Sequence, residues 1–366
     1  MHSILDELGV KPVINACGTV TVLGGCLVDD EVLEAMREAA KVFVDMTDLQ
    51  TKAGEYVAKL VGAEAAYVSG GAAAGLVLSV ASCITMGQTE LMTKLPLTDD
   101  MRNEVIVQKL HRNMYDYNLQ IAGAEIVEIG NDSATRRRDL ETAINARTAA
   151  VVYFSYDPQA GVLPLSEVIE IAHRNNIPVI VDAAAELPPK ENLSKFIDMK
   201  ADLVLFSGGK DIGAPNDTGI IIGRRDLIGI CSRLGPHSYE TVDSKRRVYL
   251  GRPMKTSKED ILALIAALTR YLKADPTKRI RESERKAKYM ASELSKYAPA
   301  SSRRFDSGPA HNRPPCFPHV ELQFKDSRWS AETMAAELKK CDPPIYTYVT
   351  AERLYLNPQC LREGEE

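Results

Sequence analysis

The sequence predicts an α/β fold: a large domain with a mostly parallel sheet between helices, followed by a small C-terminal α+β domain. Three observations carry this expectation. Short, β-branched apolar runs recur through the first two thirds of the chain ("EVIVQK", "AEIVEI", "AAVVYFS", "IPVIVDA", "ADLVLFS"), and strands apolar on both faces suit a parallel sheet covered on both sides. Helix-like segments separate them, such as "LSEVIEIAHRNN", which puts Val168, Ile171 and Ala172 on one face, so strand and helix alternate. After "VYLGRPMK" the texture shifts to charged helical sequence and an isolated strand, "PHVELQF".

Taken in order, "DDEVLEAMREAAKVF" opens with acidic residues and spaces Val32, Met36, Ala40 and Phe43 as one helical face. "TSKEDILALIAALTRYL" offers Ser257 as N-cap, Asp260 three residues on, and an apolar face of Ile261, Leu264, Ile265, Leu268 and Tyr271. The expected division is an N-terminal arm over 1–28, a large domain over 29–255 and a small domain over 256–366.

A formal net charge of −5 lacks the basic footprint that nucleic-acid binding requires. No apolar run reaches about 18 residues and the first residues carry no secretory pattern; a cytoplasmic protein is expected, with no membrane and no nucleic-acid partner. Seven scattered cysteines without a C-x-x-C pair suggest neither zinc nor disulfides, and read as small buried apolar residues.

Three strand ends carry chemistry. "AYVSGGAAAGLVLSVAS" joins a strand to an apolar helix through Ser69-Gly70-Gly71-Ala72. Small residues there suit either a phosphate received by backbone N–H groups or simply a tightly packed helix start. Asp182 ends "IPVIVDAAAE"; a carboxylate after four apolar strand residues is costly unless it caps a helix or meets a cation such as a protonated ring nitrogen. Lys210 follows "ADLVLFSGG" and precedes Asp-Ile-Gly-Ala-Pro. A desolvated lysine forms Schiff bases with carbonyls. A phosphate-binding helix start, a buried acid and a strand-end lysine, in that chain order, together ask for pyridoxal 5'-phosphate (PLP), which has a phosphate, a ring nitrogen and an aldehyde.

These blocks, with "LGVKPVINACGTVTVLGG", "NEVIVQKLHRNMYD" and "GRPMKTSKEDILALIAAL", make the chain resemble fold-type I PLP-dependent enzymes of the transferase architecture. Within them it is similar to the selenocysteine synthase-like group and to D-glucosaminate-6-phosphate ammonia-lyase-like proteins. The resemblance implies that Lys210 holds the cofactor as an imine and Asp182 pairs with its ring nitrogen. It also implies that His111 and Ala184 pack on the two faces of the ring, and that Ser207 with the backbone of Gly70, Gly71 and Ala72 takes the phosphate. Read without the family, His111 fits a helix cap or polar loop equally well. Arg252 and Lys255 in "GRPMK" are candidates for a substrate anion or for an ordinary solvated face, and Asn15 and Thr19 for an arm shaping the site entrance or for a plain turn. No metal is expected.

The activity implied is that of a PLP-dependent lyase on an amino acid or amino sugar acid. An amine substrate displaces Lys210 from the imine, the α-proton is removed, and β-elimination yields ammonia and a 2-oxo acid. The alternatives are a transferase of the selenocysteine-synthase type, a racemase or aldolase, and a catalytically silent PLP-binding relative. The resemblance also implies a homodimer or higher homo-oligomer. Two departures from the family pattern stand out: Ala214-Pro215-Asn216 behind the lysine turn, and Tyr348 where an arginine is common.

Overall fold

Strands that are apolar on both faces need cover on both, and seven of them arrange accordingly in the computed structural model, which describes residues 4–155, 159–242, 244–303, 316–324, 329–350 and 352–366. They are β1 (Ala65–Ser69), β2 (Glu104–Gln108), β3 (Glu125–Ile129), β4 (Thr148–Phe154), β5 (Val179–Asp182), β6 (Leu203–Ser207) and β7 (Gly219–Gly223). The spatial order is β1-β7-β6-β5-β4-β2-β3. Every neighbouring pair is parallel except those of β7, which runs antiparallel to both β1 and β6.

Side chains alternate between two cores. On one face Val68, Ile106, Tyr153, Val181, Phe206 and Ile222 pack under α1 (Asp30–Ala40), α2 (Met46–Val61), α5 (Leu165–Arg174) and α8 (Lys258–Lys273). On the other, Tyr67, Val107, Phe154, Ile180, Leu205 and Ile221 meet α3 (Gly71–Thr85) and α7 (Arg225–Leu234). The remaining helices of seven residues or more in this unit, α4 (Arg137–Ala143) and α6 (Asn192–Asp198), are β-α-β crossovers. All seven residues of β4 are buried, as a central strand of a doubly covered sheet requires.

The large unit spans Val28–Lys273, and a second unit combines residues up to Leu27 with Ala274–Glu366. The sequence placed a boundary at 255/256. In the structure, however, Ile261, Leu264, Ala267 and Leu268 of α8 are buried in the sheet core, so that helix belongs to the large unit. Its start forms as expected, with the Asp260 N–H donating to Ser257 Oγ at 3.0 Å and the Ser257 N–H to Asp260 Oδ2 at 3.1 Å. Phe43, read as part of the α1 face, lies beyond the helix and is fully exposed, and Ala39 rather than Ala40 is the buried residue of its last turn.

In the second unit α9 (Pro276–Leu294) and α10 (Ala331–Leu338) pack on an antiparallel sheet of β8 (Ala300–Arg303), β9 (His319–Gln323), β10 (Tyr348–Thr350) and β11 (Arg353–Leu356), ordered β8-β9-β11-β10. Ile14–Asn15 pairs in parallel with Ile345–Tyr346, and Ala16 sits in this core; the arm is a part of the small unit. Of the cysteines only Cys83 and Cys231 are buried, and Cys341 is exposed, so the expectation of burial holds for two of the seven.

At the N-terminal edge of the sheet, away from Asp182 and Ser207, buried Asp202 locks three elements together. Its Oδ2 accepts the Val179 N–H at 2.7 Å and lies 2.9 Å from His173 Nε2, and its Oδ1 accepts from Arg224 Nη1 at 2.9 Å. Stranding a buried donor and a charged partner costs about 3 kcal/mol. Asp202→Ala is therefore expected to lower the urea-unfolding free energy by about 3 kcal/mol, and Asp202→Asn by less; an unchanged midpoint in Asp202→Ala would show that the cluster is dispensable.

Candidate active site

Lys210 sits in a wide turn, Gly208–Ile212, directly after β6, with backbone angles (φ −108, ψ −128) that leave the helical region. The turn folds back on the segment behind it. The Gly208 N–H donates to Thr218 O at 2.8 Å and the Ala214 N–H to Gly208 O at 2.9 Å. A Cβ on Gly208 would stand 2.1 Å from Thr218 Oγ1, and one on Gly209 would stand 2.4 Å from Asn216 Cα. Two glycines precede the lysine because the returning chain leaves no room for side chains there. The returning residue is Asn216, part of the departure noted above, so that departure bears directly on the lysine turn.

Asp182 closes the neighbouring strand, with Oδ1 accepting the Ala184 N–H at 3.0 Å. Among the described residues that is the only hydrogen bond to its carboxylate. Burial raises its pKa above the usual carboxylate range, an effect opposed by the Ala184 N–H and by the nearby charge of Lys210. The structure thus brings Asp182, Ala184 and Lys210 together. The site wants one more positive donor for Asp182, which a protonated ring nitrogen supplies.

His111 ends the short turn Lys109–His111 after β2 and is fully buried. Its ring meets Tyr153 of β4 edge to face, with centroids 4.5 Å apart and an interplanar angle of 86°. Burial pushes its pKa down to about 4, so the imidazole is neutral at pH 7 and presents an aromatic surface.

The strand ends that carry the phosphate candidates share one row of the sheet: Ser69, just before Gly70, faces Gly219, and Gly219 faces Ser207. With strands spaced 4.7–4.9 Å apart, Ser69 and Ser207 stand about 10 Å apart. α3 starts over this row without a side-chain cap at Gly70, and Gly71 has φ +87 with open space where a Cβ would point. A Cβ on Gly219 would lie 2.6 Å from Gly71 C and 2.7 Å from Ala72 N. The helix start can sit this low on the sheet only over a glycine. An uncapped N-terminus over a cradle of bare backbone fits a phosphate, so the residues present fit PLP at its phosphate, its ring nitrogen and its aldehyde.

Segment 252–256 adjoins that cradle: Met254 O lies 3.1 Å from where a Gly70 Cβ would be, and Gln50 Nε2 reaches Thr256 Oγ1 at 3.4 Å and Val68 O at 2.9 Å. Arg252 and Lys255 therefore stand beside the α3 start and close to His237, whose pKa is lowered by burial and by those two cations. Asn15 and Thr19 belong to the second unit. There Asn15 closes a turn, accepting the Cys17 N–H at 2.9 Å and donating to Gly18 O at 3.0 Å. Sequence reading missed His237, Tyr153, Thr218 and Gly219. Only Gly219, a glycine opening an apolar strand, left a local signal.

Comparison with known proteins gives a consistent result. The family profile described as SelA, L-seryl-tRNA selenium transferase, matches residues 13–362. A D-glucosaminate-6-phosphate ammonia lyase of Salmonella typhimurium (strain 14028s / SGSC 2262) is 35% identical over 283 residues, covering 75% of this chain and 72% of its own. A 5'-C-glycyluridine monooxygenase-decarboxylase of a Streptomyces species is 34% identical over 378 residues, covering 99% and 89%. A solved structure of D-glucosaminate-6-phosphate ammonia-lyase superposes with a TM-score of 0.82 at 30% identity, covering 100% of this chain and 95% of that one.

The neutrality of His111 has a pH signature. Its folded-state pKa, about 4, lies below the ordinary 6.5, so between these values the unfolded chain binds a proton that the folded chain refuses. The contribution to stability is full above pH 6.5 and shrinks as pH falls toward 4. In cofactor-free protein, denaturant unfolding is expected to lose about 2 kcal/mol more between pH 7.5 and pH 5 in wild type than in His111→Phe. Parallel pH profiles would contradict a buried neutral imidazole.

Proposed function

Because the chain belongs to the SelA, L-seryl-tRNA selenium transferase, family, we propose that its strand-end residues serve a PLP-dependent lyase reaction on an amino sugar acid phosphate or a related amino acid. The chain is a fold-type I enzyme and its cofactor is PLP. The observation that carries the assignment of roles is the part-buried Asp182, which among the described residues accepts a single hydrogen bond and stands beside Lys210.

Asp182 would hold the ring nitrogen in its protonated form, Lys210 Nζ would bind the aldehyde, and the N–H groups at the start of α3 with Ser207 would take the phosphate. When bound, PLP supplies an electron sink for bonds at the carbon bearing the substrate amine. The chain's own work is positional and protonic. His111 and Ala184 confine the ring, and the lysine turn, braced by Thr218 and Asn216, fixes where Nζ can reach. Lys210 Nζ, placed by that turn, would also be the base that takes the proton from the substrate α-carbon. Loss of that proton and of a β-hydroxyl removes water overall, and the enamine released hydrolyses to a 2-oxo acid and ammonia.

The Salmonella relative's name supports a phosphorylated amino sugar acid as the substrate class. The Streptomyces relative, matched over nearly the whole chain, supports a second reading, in which the same residues serve an oxygen-dependent decarboxylation. A homodimer is the assembly we propose, following the fold-type I resemblance. Among the described residues no helix is long and apolar enough to cross a membrane.

Purified holoprotein should carry a visible absorption band that disappears in Lys210→Ala, with turnover reduced by about 10³-fold or more. In Asp182→Asn the band should persist while turnover falls about 10- to 100-fold, the worth of a hydrogen bond to a charged group. Ammonia and a 2-oxo product in equal amounts identify the lyase. Oxygen uptake with carbon dioxide release identifies the second reading, and a protein that stays colourless with PLP refutes both.

A further inference from the structure

The stretch 244–258 contains six lysines and arginines and no acidic residue, in a chain whose formal net charge is −5. Its first part is a strand of a β-hairpin in which Glu240–Val242 pairs with Lys245–Arg247, so that Arg247 stands opposite Glu240. That glutamate does not neutralise the strand. Its carboxylate is taken by Arg233, at 2.7 and 3.1 Å, and by the Tyr249 hydroxyl at 2.7 Å, which bolt the hairpin base to α7. Arg246 lies over the Tyr239 ring, 4.4 Å from its centroid, an ordered cation–π position. Lys245, Arg246 and Arg247 are all exposed.

The chain then runs directly to Arg252 and Lys255 at the α3 start, where Met254 O backs Gly70. None of these five cations makes an ion pair among the described residues. Two of them, Arg252 and Lys255, are already felt by His237, whose imidazole they help to keep neutral alongside burial. Five like charges in eleven residues repel one another and oppose folding unless a counter-charge joins them. A lone carboxylate is satisfied by one bidentate arginine; five cations on an anchored hairpin suit a ligand bearing several negative charges.

We propose that Lys245, Arg246 and Arg247, continuous with Arg252 and Lys255, form an anion strip that receives the phosphate-bearing end of the substrate outside the cofactor cradle. The proposal rests on the enzyme reading above for its substrate. The hairpin selects for phosphorylated substrates, and its effect is screened by salt.

The test uses holoenzyme whose cofactor has been fixed on Lys210 by borohydride reduction, so that the α3 cradle is filled, and inorganic pyrophosphate as the probe. Calorimetric titration at low and moderate salt is expected to show pyrophosphate binding that weakens with salt. In the triple variant Lys245→Gln, Arg246→Gln, Arg247→Gln the affinity should drop at least tenfold and lose most of its salt dependence. The visible spectrum of the unreduced triple variant should match wild type, which shows that the cofactor site is intact; if the triple variant does not fold, Lys245→Gln and Arg247→Gln alone should each weaken binding about threefold. Equal affinity in wild type and variants, or no pyrophosphate binding by wild type, overturns the strip. So does a single-stranded RNA 20-mer that binds through these residues more tightly than pyrophosphate, since the face would then serve nucleic acid. Loss of pyrophosphate binding in the variant, in a protein that releases no ammonia from any substrate, upholds the strip and rejects the lyase reading.

Discussion

The site depends on one close approach of backbone to backbone. β7 runs against the direction of every other strand and inserts between β1 and β6, so the row Ser69-Gly219-Ser207 spans three strands at the sheet's functional edge. The start of α3 then lies on Gly219 with no space for a Cβ. Widening that contact would lift the uncapped helix N-terminus from the row it shares with Ser207, and the lysine turn that follows Ser207 would lose its relation to the cradle. Packed interiors accommodate such changes only by shifting neighbours, so a single hydrogen atom at position 219 sets the spacing of the candidate phosphate and lysine positions.

Electrostatics divide the same edge. Asp182 and His111 are both held by burial toward their neutral forms, because a low-dielectric setting penalises the charged form. Asp182 has a nearby cation in Lys210, and the imidazole of His111 meets the Tyr153 ring edge to face. A few residues away the balance reverses, with Arg252 and Lys255 making no ion pair among the described residues. An apolar, charge-averse interior beside a cationic rim suits a reaction in which the reactive carbon must be dry while the rest of the substrate is anionic.

Much of this was legible in the sequence, for local reasons. Lys210 announced itself because a turn that returns on its own strand needs Gly208 and Gly209, and Asp182 because an acid ending an apolar strand is improbable without a partner. The alternating apolar runs specified a doubly covered sheet. The errors came where the deciding contact is distant in sequence. The apolar stripe of α8 reads the same whichever unit it packs against, so the boundary fell at 255 instead of after Lys273. Phe43 continues a helical spacing that the backbone abandons at Lys41. His237 carries no motif, because what distinguishes it is its proximity to Arg252 and Lys255, and the consumption of Glu240 by Arg233 and Tyr249 is invisible until the hairpin is folded.

The pairing of Ile14–Asn15 with Ile345–Tyr346 bears on the order in which the molecule can be made. The large unit is one uninterrupted stretch, Val28–Lys273, and all its strands have left the ribosome before the small unit's sheet exists. The arm is synthesised before the large unit and its partner strand after it, on the order of half a minute later at ~10 residues per second. Throughout that interval Ala16 and its neighbours lack the strands that complete their core, and the nascent chain must keep the arm from wrong pairings until its partner strand arrives.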